Sequence, residues 1–428
     1  MTDRRAMRTV AAARFVAAVR FVVAGRFVVA GRFVAVARRA AVVLLAIAAT
    51  ACTSRDIVAS GAVVPGDPPM YCAGDGPVIL VAPKPRPGDR GAVCTGAVAV
   101  RTFPRALCTC EGYTTSTGLT TDSFDSSTGP YAPGGASGDV GVNGELRASA
   151  LLDLRGALSA AGTAGVGLLA DLHVAHDLDV AGPLGKTVAV TAGGDAHLAG
   201  PVDLTALTVA GTLTIPDSVA LNGTITAGAT VRAPVTITPP CACGAADLID
   251  IPNLVSAHTN DNQDATIGLT PDRLTDYHGA VSLDLPCGVF YLGPVHGDGA
   301  LTVRVTGRAA LLIDGDVTLA SPLTIELATD DAELDLLVSG IVSSDQAILI
   351  GRADRPSRTR VYIGGAGTIN LSGDSRLAGN LYAPRAAIAL SATATVFGSL
   401  FVRRLDQAAP ITIHYDVDVR RADIACPL

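Results

Sequence analysis

The 428-residue chain is 49% hydrophobic and 17% charged, which excludes a disordered chain and leaves room for two or three domains or one elongated repeat body. Residues 1–51 hold nine Arg and one acid, Asp3, so the remainder carries 23 basic against 38 acidic side chains, a net of −15. A body that acidic lacks the basic surface that displaces nucleic-acid counterions, and nucleic-acid binding is set aside.

The chain opens on an Arg-rich leader with a hexad repeat, Arg20-Phe21-Val22-Val23-Ala24-Gly25 followed by Arg26-Phe27-Val28-Val29-Ala30-Gly31. Six does not fit the 3.6-residue helical period, so no steady amphipathic face results. Repeat expansion, or a start codon set too early, accounts for it better than a membrane-surface helix. Arg38-Arg39 then leads into an apolar run ending Ala49-Thr50-Ala51-Cys52. A positive stretch, a short apolar core and small residues are the parts of an export signal, and the run is too short to span a bilayer comfortably. The ending resembles the bacterial lipobox, although Ala49 stands where Leu is usual. The expectation is a leader over residues 1–51 and lipidation at Cys52, which would hold the protein on a membrane by acyl chains.

Beyond Cys52 there are eight cysteines: Cys72, Cys94, Cys108, Cys110, Cys241, Cys243, Cys287 and Cys426. An even number in an exported chain reads as up to four disulfides, with the connectivity open. Metal ligation at Cys108-Thr109-Cys110 and Cys241-Ala242-Cys243 is disfavoured, because the spacing is not that of paired zinc knuckles. No metal or cofactor is expected.

Residues 52–70 read as a tether and 71–110 as a small Cys-containing β module. Residues 111–238 read as the first part of a β-solenoid, with an irregular cap at its start. Leu172, Val174, Leu178 and Val180 alternate with polar residues, as half-buried strands do. Gly144, Gly156, Gly182, Gly200, Gly211 and Gly223 fall near the breaks, where a corner can require positive φ. Residues 239–290 form a Cys-bounded insert. It is expected to hold a helix from Ile251 or Pro252 capped by Asp250, a second short helix over 271–277, and a disulfide from Cys241 or Cys243 to Cys287. Strands resume at 281–285 and 288–292.

Residues 291–428 carry the clearest repeat. Gly315, Gly340 and Gly365 close β-rich runs at 25-residue intervals, and Gly379 and Gly398 head two similar segments 19 residues apart. Coils of that size cannot bury an apolar face alone, but stacked coils can. The fold class is therefore all-β, a solenoid with a small helical insert.

Leu311-Leu312-Ile313-Asp314-Gly315-Asp316-Val317, Arg360-Val361-Tyr362-Ile363-Gly364-Gly365, Gly379-Asn380-Leu381-Tyr382-Ala383-Pro384 and His414-Tyr415-Asp416 resemble a bacterial domain of unknown function. That domain is found in exported and pilus-associated surface proteins. The resemblance extends over roughly residues 110–420, with Asp122–Tyr131 similar to the domain's start. It implies a right-handed parallel β-helix and carries over no active site.

Candidate chemistry is sparse. Parallel β-helices often cleave polysaccharides with paired acids, and the acids here are Asp314, Asp316, Asp330, Asp331, Asp335 and Asp374. Asp314 and Asp316 look like corner residues that bond the backbone. His173, His176 and His197 read as polar decoration. Asn260, Asn262 and Asp264 lack the Gly and Glu of an EF-hand loop. His414-Tyr415-Asp416 evokes part of a triad, but a last solenoid strand with Tyr415 packed is the better reading. The sequence thus points to a non-enzymatic lipoprotein of the outer membrane or cell surface, structural or adhesive in role. Its partners would be a membrane, through the anchor, and an envelope or matrix polysaccharide or a surface protein. The alternative is a carbohydrate-active β-helix enzyme or glycan-binding protein.

Overall fold

A computed structural model describes residues 55–57, 80–81 and 93–422, apart from 187, 345 and 372–374. Cys52, Cys72, Cys426 and Asp374 lie outside the described residues, as does the leader. Short strands dominate, and successive stretches of chain pair in parallel. In the first arm, residues 107–232, the register runs Ser159, Asp179, His197, Thr214, Val231, in steps of 20, 18, 17 and 17 residues. Each turn of chain contributes three strands. Leu172 and Val174 are buried while His173 between them is exposed, so the inward set follows strand parity.

The second arm, residues 281–416, does not extend the first from its far end. Strand Leu400–Gln407 pairs with Leu107–Thr115, and Ile411–Asp416 pairs with Leu119–Phe124. From Leu107 the chain therefore sets out from the middle of the ladder, winds to one end, returns along the outside, and winds back from the other end to meet Leu107–Phe124. One register column shows the continuity: Tyr291, Leu312, Leu337, Tyr362, Tyr382, Phe401, Cys108, Gly141, Ser159, Asp179, His197, Thr214, Val231. At about 4.8 Å between paired strands, these rungs span about 58 Å. Residues 107–124, expected as a small module and a cap, are interior rungs because the C-terminal strands cover their other edge.

Arg55–Ile57 pairs with Val281–Leu283 at one end, in a stretch expected to be an unstructured tether. At the other end, strand Leu221–Arg232 pairs, among the described residues, on one side only and is largely exposed. Of the expected N-terminal module, Leu80–Val81 runs antiparallel to Val93–Cys94. Within the same stretch, expected to be β, the chain forms a helix, α1 (Thr95–Thr102).

Of the six corner glycines, only Gly223 has positive φ, +109°. The others are needed for a different reason. A Cβ on Gly144 would sit 1.1 Å from the Glu111 carbonyl oxygen, and one on Gly156 would sit 2.4 Å from the Gly138 carbonyl carbon. Coils at the corners touch backbone to backbone.

Residues 233–250 form the return strap. Two disulfides fix it to the junction strand, Cys108–Cys241 and Cys110–Cys243. The expected bridge from Cys241 or Cys243 to Cys287 is thereby overturned, although Cys287 is itself disulfide-bonded. Strap and insert run along the outside of the ladder, which carries Cys241 over the junction before the chain reaches residue 287. Gly141 leaves room for the crossing, since a Cβ there would lie 3.0 Å from Cys241 Sγ. Asn143 grips Cys241 by donating to its carbonyl and accepting from its N–H, at 2.8 and 3.0 Å. Helix α2 (Ile251–Ala257) follows, with the Asp250 side chain accepting from Asn253 N as expected. The second short helix is α3 (Asp264–Ile267), and residues 271–276 are turns instead. Among the described residues no helix is long and apolar enough to cross a membrane.

Candidate functional site

The outward side of the column from Leu337 to Phe401 is covered rather than wet. Strand Thr359–Ile363 is buried at every residue, because its inner face meets the core and its outer face meets the strap and insert. Tyr362, Tyr382 and Phe401 stack along the ladder, with centroids 6.1 and 5.0 Å apart. Two units give this row its cover. Val98, Arg101 and Thr102 come from α1, and residues 246–250 with Asn253 and Leu254 come from the strap and α2. The cover does not close, and a pocket of about 530 Å³ remains above the rings. That volume lies in the range of small-molecule sites, which pair apolar walls with a few placed polar groups.

Two tyrosines border this pocket. Tyr382 Oη accepts a hydrogen bond from Ile249 N at 3.1 Å. Tyr362 is 2% exposed, and its hydroxyl, sealed from solvent, has no hydrogen-bond partner among the described residues. Burial, then the nearby Asp335 carboxylate, pushes the Tyr362 phenol well above its usual range, so it is a proton donor at any physiological pH. Asp247, Asp250 and Arg101 provide charge at the lining.

Beside the aromatic row lies a buried ionic group. Arg360 is 1% exposed and donates from Nε and Nη2 to Asp335 at 2.6 and 2.9 Å, and from Nη2 to Glu333. Burial alone would lower the guanidinium pKa, but the two carboxylates hold it above its usual value. Asp335, an acid candidate, is thus neutralised in place. At the junction, Asp416 is fully buried and accepts from the backbone N–H groups of Ser126, Ser357 and Asp418 and from the Ser126 hydroxyl. Desolvation pushes its carboxyl up despite those bonds.

The remaining candidates scatter. Asp316 accepts from Ile341 N, and Asp314 accepts from Ser339 Oγ and Tyr291 Oη, so both tie one coil to the next. Asp330 pairs with Arg352, and Asp331 is exposed. His173 and His176 are exposed, and His197 Nδ1 lies 2.8 Å from Asp179. Asp264 accepts from Tyr291 N and anchors α3 to the ladder. Among the described residues no group of three or more His, Cys, Asp or Glu is placed to hold a metal ion. Tyr415 is buried in the last strand and donates to the Phe103 carbonyl. His414 does meet an acid, Asp122, at 2.7 Å, and Tyr131 donates to the same carboxylate. That trio knits the junction under Phe124 and Phe397.

The aromatic row escaped the sequence reading, although its signal was present. Tyr382 and Phe401 each stand three residues after the paired glycines Gly379 and Gly398. Residues 247–422 are covered by a domain described as Domain of unknown function (DUF7305). No curated protein and no solved structure matches the chain.

Proposed function

We propose that this chain is an exported, non-enzymatic lipoprotein whose right-handed parallel β-helix acts as a stiff stand on the outer membrane or cell surface. The observation that supports this most is the continuous register column from Tyr291 to Val231. Parallel crossovers are overwhelmingly right-handed, which supports the hand. The anchor sequence immediately precedes Arg55–Ile57, which pairs at one end of the ladder, and the one-sided strand Leu221–Arg232 lies at the other. A rod anchored at Cys52 would hold that unpaired edge out toward a matrix polysaccharide or a surface protein. An unpaired edge is a ready template for strand addition.

The test has two arms. Metabolic labelling with an alkynyl fatty acid should mark the wild type and not Cys52→Ser, and labelling that survives the substitution overturns the anchor. The protein starting after Cys52 should bind without turnover on a glycan array and in a polysaccharide-degradation screen. Depolymerisation of any glycan overturns the non-enzymatic reading.

A further inference from the structure

The last rung of the first arm ends the ladder without a lid. Strand Leu221–Arg232 follows three sides of a coil, since its pairing with Val202–Ile215 shifts register between Asp203 and Ala206 and again between Val209 and Thr212. Val202, Leu207 and Val209 are buried, yet their rung partners Leu221, Ile225 and Ala227 stay half-buried, because no further coil lies over them among the described residues. Natural sheet edges are guarded by charge, Pro or a covering loop. This one carries a single charged side chain, Arg232 at its end, and no Pro. The longest stretch between described strands, residues 58–79, cannot supply the cover. It leaves Ile57 at the opposite end of the ladder and returns to Leu80, whose partner Cys94 adjoins α1 over the second arm. A route by way of the open rung would run about 90 Å along the ladder, and a stretch of that length in residues extends to about 75 Å.

We infer that the occupant is a second copy of this chain: two molecules join tip to tip, rung 221–232 pairing antiparallel with its twin about a two-fold axis. Such an axis through the middle side sets residues 224–227 against themselves and exchanges the two outer sides, so a three-sided rung closes on its own copy. Strand parity then sets Ile225 of each copy opposite Ala227 of the other, and Thr226 opposite Thr226. Arg232 lands near Leu221 of the other copy, away from its twin. Elsewhere two bodies of net −15 repel each other, which favours contact at this uncharged face. Twelve residues a side fall short of the roughly 20–30 of a standard interface, so a single pair is weak and dilute protein keeps its edge open. The consequence for adhesion rests on the anchor proposed above: rods fixed at Cys52 on facing surfaces would bridge them over about 120 Å of ladder.

Sedimentation of the protein starting after Cys52, from about 1 to 500 µM, should show a reversible monomer–dimer equilibrium. Small-angle scattering should give the dimer a maximum dimension close to twice the monomer's. Thr226→Lys and Thr226→Glu, at an exposed residue, should each weaken dimerisation at least about tenfold, because like charges then oppose each other. Mixing the two variants should restore the dimer, since Lys then faces Glu, and a misfolded chain could not be rescued this way. A protein that stays monomeric throughout, a dimer no longer than the monomer, dimerisation indifferent to either charge, or a mixture that fails to pair each overturns the inference. Pairing in solution needs neither acylation nor a glycan, so it can fail while labelling at Cys52 holds, and hold while labelling fails.

Discussion

The two arms share one hydrogen-bonded ladder and differ in what covers it. In the first arm, strands such as Leu172–Val174 bury alternate residues and leave the outer face to Thr, Asp and His. In the second, Glu333–Val338 and Thr359–Ile363 are buried throughout, because strap and helices lie over them. Corner carboxylates stitch both arms, with Asp177 accepting from Asp195 N in the first and Asp316 from Ile341 N in the second. A bare solenoid therefore suffices as a spacer. A solenoid with its outer face covered can also hold buried charge and a pocket, and here the same chain makes both.

The largest effect should come from the covered arm. Arg360→Ala removes the buried guanidinium that Asp335 and Glu333 share, and should cost about 3–5 kcal/mol in urea unfolding. Arg304→Ala, which breaks a half-exposed pair with Glu326, should cost less than about 1 kcal/mol. Equal losses would erase the distinction between covered and exposed faces of the ladder. Next come the strap bridges. Each closes a separation of 133 residues, so replacing all four cysteines with Ala should cost about 2–5 kcal/mol. Replacing either pair alone should cost much less, because the other still closes nearly the same loop.

Gly144→Ala drives a methyl group into the backbone of the neighbouring coil and should destabilise by about 1–3 kcal/mol, read as a lowered thermal midpoint. Alkaline titration sharpens the contrast further. Burial pushes the Tyr277 and Tyr415 phenols from about 10 up to about 12. Between those values the unfolded chain has released protons that the fold retains, so stability must fall as pH rises across that window. Tyrosinate absorbance at pH 11 should accordingly be lower in the native protein than in urea. The smallest effect belongs to the open edge. Val231→Lys should change stability by no more than about 0.5 kcal/mol, and a larger loss in unfolding experiments would mean the edge is covered.

Much of the ladder was legible because strand parity and coil length are written locally. Leu178-Asp179-Val180 alternates, and Gly315, Gly340 and Gly365 recur at the length of a coil. The Asp250 cap of α2 was equally local. What the sequence hid is order in space. Nothing near Leu107 announces that its far edge belongs to Leu400, because parallel strands pair at any separation the chain can close. The disulfide partners were hidden for the same reason, as Cys241 meets Cys108 only once the strap has doubled back. The pocket depends on both, since α1, α2 and the aromatic row come from three distant stretches.

The mid-rod meeting point sets the order in which the molecule can be finished. Leu107 and its neighbours wait for partners synthesised 293 residues later. Contacts that distant are slow to form, since a long loop must close before any of them is rewarded. Until the tail arrives, each half ends in a naked seam, and a chain cut short before residue 400 keeps both seams exposed in place of one continuous ladder. The final strands are the keystone of this assembly, so loss of Ile411–Asp416 should do more harm to the yield of folded protein than loss of as many residues from the exposed 221–232 end.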